Sequence, residues 1–155
     1  MQNIILTLIL CFSLTAYSQT YAKYNGKKES PKTTVRTEDE KTVEKLIMIA
    51  NDFLNKKQFA DAAKYCTEAL AYNIDVANIT YKRAMTYFFA AEHEKAIADF
   101  NSILPTYSKP EEIYFVRGLC KYNLQDRECA CEDLALSRSL GKDIDPKLFS
   151  SFCEQ

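Results

Sequence analysis

Cysteine and histidine are the residues here with chemistry beyond packing, and the chain has six of the first and one of the second. Cys11 lies in an N-terminal apolar run; Cys66, Cys120, Cys129, Cys131 and Cys153 come after it. Four of those five crowd into the last third of the chain, and an odd total leaves at least one thiol unpaired or shared with another molecule. Such thiols either close disulfides in an oxidising compartment or hold a metal. Cys129 and Cys131 are two apart, so on a helix they point roughly 200° apart and cannot both meet one partner helix. Cys120, Cys129, Cys131 and Cys153 are therefore a poor tetrahedral set, and no histidine joins them, so no metal and no cofactor are expected. His93 is the only candidate base for a triad. The chain has no glycine-rich phosphate loop, no His-Glu-x-x-His and no Cys-x-x-Cys, so no catalytic residue is expected and the chain reads as a non-enzyme.

The elements that must position these residues announce themselves by repetition. Slid by 34 residues, the chain superposes Ala62, Ala96 and Ala130, then Ala50, Ala84 and Gly118, then Cys66, Phe100 and Leu134. Phe53 falls on Tyr87, and Phe59 falls on His93. His93 is thus expected to pack beside a turn. A fixed period of this length means stacked helical hairpins, each with an apolar face it cannot bury alone. The fold expected is all-α: a solenoid of three antiparallel hairpins, repeats at about 43–76, 77–110 and 111–144, with a short capping helix at about 145–153. Only three glycines and four prolines, against ten tyrosines and nine phenylalanines, suit such a chain.

Local signals place the helices. Thr37 with Glu40 three residues on has the form of a capping box, and Val43, Leu46, Ile49, Ala50 and Phe53 recur at helical spacing, giving a first helix over 38–55 and a second over 60–71. Pro105 ends the second hairpin. The third turns at 124–126 and ends at Gly141, a suitable C-cap. Leu148, Phe149 and Phe152 then share one side of the capping helix. Cys131 comes one residue after the packing position Ala130 and can face that helix, so Cys131 with Cys153 is the first pairing expected. Such a bridge is worth about 3 kcal/mol on the chain-entropy model. Cys120 and Cys129 are equidistant from the turn, which leaves a second bridge open. Cys66 reads as a small buried apolar residue. Asp99 and Asp133, one period apart with basic residues nearby, read as a solvated helix face.

Residues 1–18 hold an apolar run from Ile4 to Ala16, then Ala16-Tyr17-Ser18, a small-x-small cleavage pattern, although Met1-Gln2-Asn3 offers no Lys or Arg. They read as a secretory signal cleaved after Ser18. The run is shorter than the about 20 apolar residues a span needs, and Leu10 is too large to precede a lipidated Cys11. An exported protein, periplasmic or extracellular, with no membrane span after cleavage is expected. Residues 19–36, lysine-rich and without apolar period, read as a flexible tether, and residues 37–155 as the folded domain. A formal net charge of −1 lacks the electrostatic footprint of a nucleic-acid binder.

The stretch from Tyr81 to Phe100, with Ala84, Tyr87, Ala96 and Phe100 in register, resembles the tetratricopeptide repeats, and the resemblance extends over about residues 43–144. Glu128-Cys129-Ala130-Cys131-Glu132-Asp133-Leu134 with Leu140-Gly141 looks like the last repeat of secreted bacterial members, which implies a bacterial envelope and again points to Cys131 with Cys153. Departures are Lys121 for an aromatic, Ser137 for a small apolar residue and the lack of Trp, so the third repeat is expected to pack less regularly. The resemblance implies a non-catalytic protein-interaction module whose first helices line a groove. Here that stripe carries Ile47, Asn51, Leu54 and Asn55, then Tyr81, Met85, Phe88 and Phe89, then Phe115, Leu119 and Tyr122. Some members clamp a C-terminal carboxylate with Lys and Asn, but Ile47 stands beside Asn51 and Lys82 stands apart. The partner expected is therefore a protein or peptide with apolar side chains. The alternative is a structural role in which the groove is closed by self-association into a homo-oligomer.

Overall fold

A helix of 18 residues opens the described part of the chain, and its first turn is chemically complete. Thr37 Oγ1 accepts the Glu40 N–H at 3.2 Å while Glu40 Oε2 accepts the Thr37 N–H at 2.8 Å, the reciprocal capping box. Glu38, Asp39 and Glu40 also put negative charge at the positive end of the helix. The structure is a computed structural model, and it describes residues 37–153. The signal expected at 1–18 and the tether expected at 19–36 lie outside the described residues.

The described residues form seven helices: α1 (Glu38–Asn55), α2 (Phe59–Leu70), α3 (Val76–Phe89), α4 (His93–Ile103), α5 (Pro110–Asn123), α6 (Arg127–Ser139) and α7 (Pro146–Cys153). No strand occurs among the described residues. Each helix packs mainly against its neighbours in sequence, so α1/α2, α3/α4 and α5/α6 form three hairpins and α7 lies on α6. The all-α solenoid expected from the period is what the chain forms.

The three hairpin turns are copies down to their hydrogen bonds. Lys57, Ala91 and Gln125 hold φ of 57°, 59° and 66°. After each, an N–H reaches back five residues: Gln58 to Phe53 at 2.9 Å, Glu92 to Tyr87 at 2.9 Å and Asp126 to Lys121 at 3.0 Å. This is the bond that ends a helix when the next residue turns left-handed. Glycine is the easiest residue to place there, yet none of the three is glycine.

Small residues set how close the helices lie. Ala50, Ala62, Ala84, Ala96 and Ala130 are wholly buried. At Gly118 the approach is closer still, since a Cβ there would meet Leu134 Cγ at 3.0 Å and the Ala130 carbonyl at 3.1 Å. One buried cluster gathers Val43, Ala50, Cys66 and Ala69 with Ile79 of the next hairpin. The other gathers Ala84, Phe100, Ile103, Val116 and Cys120. Each cluster takes residues from two successive hairpins, which is how stacking buries the face that one hairpin leaves open. The departures in the third repeat acquire polar partners. Ser137 Oγ donates to the Glu111 carbonyl at 2.7 Å, and Lys121 Nζ pairs with Asp133 at 2.9 Å.

Candidate functional site

The stripe on the first helix of each hairpin divides into an open part and a covered part. Across α1 and α3, Leu54, Asn78, Tyr81, Lys82, Met85 and Tyr107 line a cavity of about 310 Å³. Tyr81 is fixed there by its neighbours: its ring stacks on Tyr107 at 4.7 Å, 9° from parallel, and meets Phe100 edge-on at 5.8 Å. Burial is the first cause that pushes the Tyr81 hydroxyl up to about 12, with Tyr107 and Glu112 adding to it, so it stays protonated and able to donate. Lys82 does not stand apart, as its spacing suggested; Nζ donates to Asn51 Oδ1 at 2.8 Å and ties α3 to α1. The cavity is thus lined by apolar Leu54 and Met85, by the stacked rings of Tyr81 and Tyr107, and by polar Lys82 and Asn78.

The other stripe residues are placed differently. Phe89, half exposed, leans on Phe59 at 6.5 Å and on Phe88 at 5.5 Å, at the turn end of the hairpins. Asn55 is exposed and Leu119 half-buried. Phe115 lies under Lys142 Nζ at 5.3 Å, and that ammonium also binds Glu112 at 2.7 Å. Tyr122 meets Phe152 of α7 edge-on at 4.4 Å. The α5 end of the stripe is therefore packed by the chain's own C-terminal segment. Tyr107 and Asn78 were missed by sequence reasoning. Asn78 lies one turn before Lys82 and could have been found by extending the period, but Tyr107 comes from the loop after Pro105, which a helical stripe does not sample.

Cys131 and Cys153 are joined in a disulfide, with Cα atoms 5.4 Å apart. Cys120 and Cys129 are not joined. Equal distance from the turn put them at one height but not on one side: Cys120 is wholly buried in the core, whereas Cys129 sits half-exposed in the first turn of α6, its N–H held by Asp126 Oδ1 at 3.3 Å. Burial raises the Cys66 thiol to about 11 and the Cys120 thiol to about 12, so neither is a nucleophile near neutrality. His93 faces the Phe88 ring at 6.0 Å, and its buried Nδ1 has no hydrogen-bond partner.

Asp99 and Asp133 overturn the reading of a solvated face. Arg83 grips Asp99 with two bonds, Nε to Oδ2 at 2.8 Å and Nη2 to Oδ1 at 2.7 Å. Arg117 grips Asp133 in the same way at 2.7 and 2.6 Å. Both carboxylates are buried, and the hydrogen bond to each is the main cause that raises its arginine above the ordinary guanidinium value. The remaining arm of each arginine reaches the preceding hairpin: Arg83 Nη1 to Thr67 at 3.1 Å, Arg117 Nη1 to Asn101 at 2.6 Å. These acids are committed to structure and are not free for chemistry.

No protein-family model and no curated protein matches the chain. Solved structures do. The tetratricopeptide-repeat (TPR) domain of Arabidopsis OM64 superposes with TM-score 0.60 at 21% identity, covering 66% of this chain and 85% of that one. The Sgt2 TPR domain from Aspergillus fumigatus gives 0.61 at 20%, with 81% of both chains covered. The first TPR domain of Spaghetti (RPAP3), solved with the HSP90 peptide SRMEEVD, gives 0.63 at 17%, covering 77% and 93%. At such identities the likeness concerns the fold, and the fold of this chain is the tetratricopeptide-repeat solenoid.

Proposed function

We propose that the protein is a non-catalytic interaction module that holds a peptide or protein segment with apolar side chains on the open part of its stripe, with Leu54, Tyr81 and Met85 as the contact residues. The observation that carries this is the cavity between α1 and α3, lined by apolar Leu54 and Met85, by the stacked rings of Tyr81 and Tyr107, and by polar Asn78 and Lys82. Such composition suits an anchor side chain with backbone hydrogen bonds beside it. The solved TPR domain of Spaghetti (RPAP3) with its HSP90 peptide supports only the coarser reading, that a domain of this fold holds a peptide. The packing of His93 on Phe88 and the capture of Asp99 and Asp133 by arginines support the non-catalytic part. The apolar run at 4–16 and the Cys131–Cys153 bond support export to an oxidising compartment, periplasmic or extracellular.

The test is a displayed library of short linear peptides selected against the protein, with each binder re-measured on Met85→Glu and Leu54→Glu variants whose circular dichroism matches the parent. Loss of at least about tenfold in affinity, or about 1.4 kcal/mol, is expected for both. Binders that hold equally well to both variants would place recognition elsewhere. Exposed Leu136, Leu140 and Leu148 keep self-association as a second reading, with exposures of 45%, 48% and 41%. Sedimentation across a concentration series separates the two.

A further inference from the structure

We propose that α7 is a lid over the α5–α6 end of the stack, held shut by the Cys131–Cys153 bond and released by a dithiol reductant. The helix has eight residues and none of them is buried. A helix that short does not persist by its own hydrogen bonds, so its place depends on what ties it down. The ties are few: Phe152 against Tyr122 at 4.4 Å, Arg138 over Phe149 at 5.3 Å, and the disulfide.

The chain before the lid is fixed by other means. Ile144 is 5% exposed, and Lys142 is paired with Glu112 at 2.7 Å, so the segment up to 144 stays seated when the bond opens. Asp145 begins the moving part and carries the lid's own cap, its Oδ1 accepting the Lys147 and Leu148 N–H groups at 2.9 and 3.0 Å. The hinge therefore lies between Ile144 and Asp145.

The thiol chemistry is confined to one bond. Cys131 and Cys153 are partly exposed, where a small dithiol can reach them. A thiolate of the reductant attacks one sulfur, the S–S bond breaks through a mixed disulfide, and the second thiol closes the reductant as its own disulfide. Two electrons and two protons pass to the protein, leaving Cys131 and Cys153 as thiols. Cys66 and Cys120 are wholly buried and cannot enter the exchange, and Cys129 points to another side of α6 than Cys131. Opening takes Phe152 off the Tyr122 ring, which keeps Arg127 at 5.5 Å, and lengthens the exposed stripe toward α5.

Hydrogen exchange on the full chain, before and after treatment with dithiothreitol, tests this. Amides of α7 are expected to exchange at least about tenfold faster after reduction while α1 to α6 keep their protection. The Cys131→Ser, Cys153→Ser double variant is expected to show the fast α7 pattern without reductant. Unchanged protection of α7 after reduction would overturn the lid, because non-covalent contacts would then suffice. Loss of protection spreading through α5 and α6 would overturn it too, since the bond would be a staple for the whole hairpin. Finding Cys131 and Cys153 as free thiols in the air-oxidised protein would have the same effect.

Discussion

Hairpin one and hairpin three share a turn, a buried alanine and a register, yet they are cross-linked by different physics. Where α5 and α6 carry Arg117 and Asp133, α1 and α2 carry Ile49 and Tyr65, and Phe53 stacks on Tyr65 at 5.4 Å. Hairpin three is bound by a buried ion pair in which Arg117 holds Asp133 and Asn101 while Lys121 reaches the same carboxylate. Hairpin one has apolar and aromatic contact at that position. The difference teaches that the small-residue contacts define the hairpin and that the cross-link is a separate choice. Apolar contact tolerates small slides, whereas a two-pronged guanidinium fixes one relative position.

The sharpest way to break that comparison is to remove one partner of the fork. Arg117→Ala should destabilise the protein by about 3 kcal/mol, because the buried Asp133 would keep only Lys121. Urea denaturation of this variant beside an Arg117→Leu, Asp133→Leu variant checks it. The double change should cost less than the single one, and equal costs would show that the fork is no more than packing. Arg83→Ala should cost less than Arg117→Ala, since Asp99 is 9% exposed and Asp133 2%. A second prediction concerns the closest helix approach. Gly118→Ala should lose about 1–2 kcal/mol despite alanine's better helix propensity, because the Ala130 carbonyl at 3.1 Å is backbone and cannot step aside. At the same register Ala50 and Ala84 are accommodated, so a neutral Gly118→Ala would mean that the third hairpin can open to the spacing of the others.

The smallest effect tests what the hairpins have in common. Ala91→Gly should raise stability by up to about 1 kcal/mol, since glycine relieves a left-handed backbone while loosening the unfolded chain somewhat. Lys57→Gly and Gln125→Gly should behave alike. A thermal melt of the three variants suffices, and unequal shifts would show that the turns differ in ways their geometry conceals.

Much of the fold was legible because the period of the small residues constrains helix contacts, and helix contacts constrain everything else in a solenoid. Thr37 with Glu40 marked the first helix start to the residue. What failed was direction. Asp99 and Asp133 on a helical period look alike whether they face water or a guanidinium; the clue in the sequence is Arg83 and Arg117, each 16 residues before its aspartate. Equal distance from a turn gives Cys120 and Cys129 one height along the hairpin but does not give the side each faces. In the site, Tyr81 and Met85 were readable as helix positions, but the wall that completes the cavity is Tyr107, supplied by a loop outside any period.

The backward arms of the arginines give the array a polarity along the chain. Arg83 depends on Thr67 and Arg117 on Asn101, each in the hairpin before. Peeling the stack from its C-terminal end leaves Arg83 with its full set of partners. Peeling from the other end strips Thr67 away and leaves Arg83 with an unmet donor beside a buried carboxylate. Under a pulling force the two ends should therefore yield differently, the last hairpin detaching cleanly while loss of the first weakens the second.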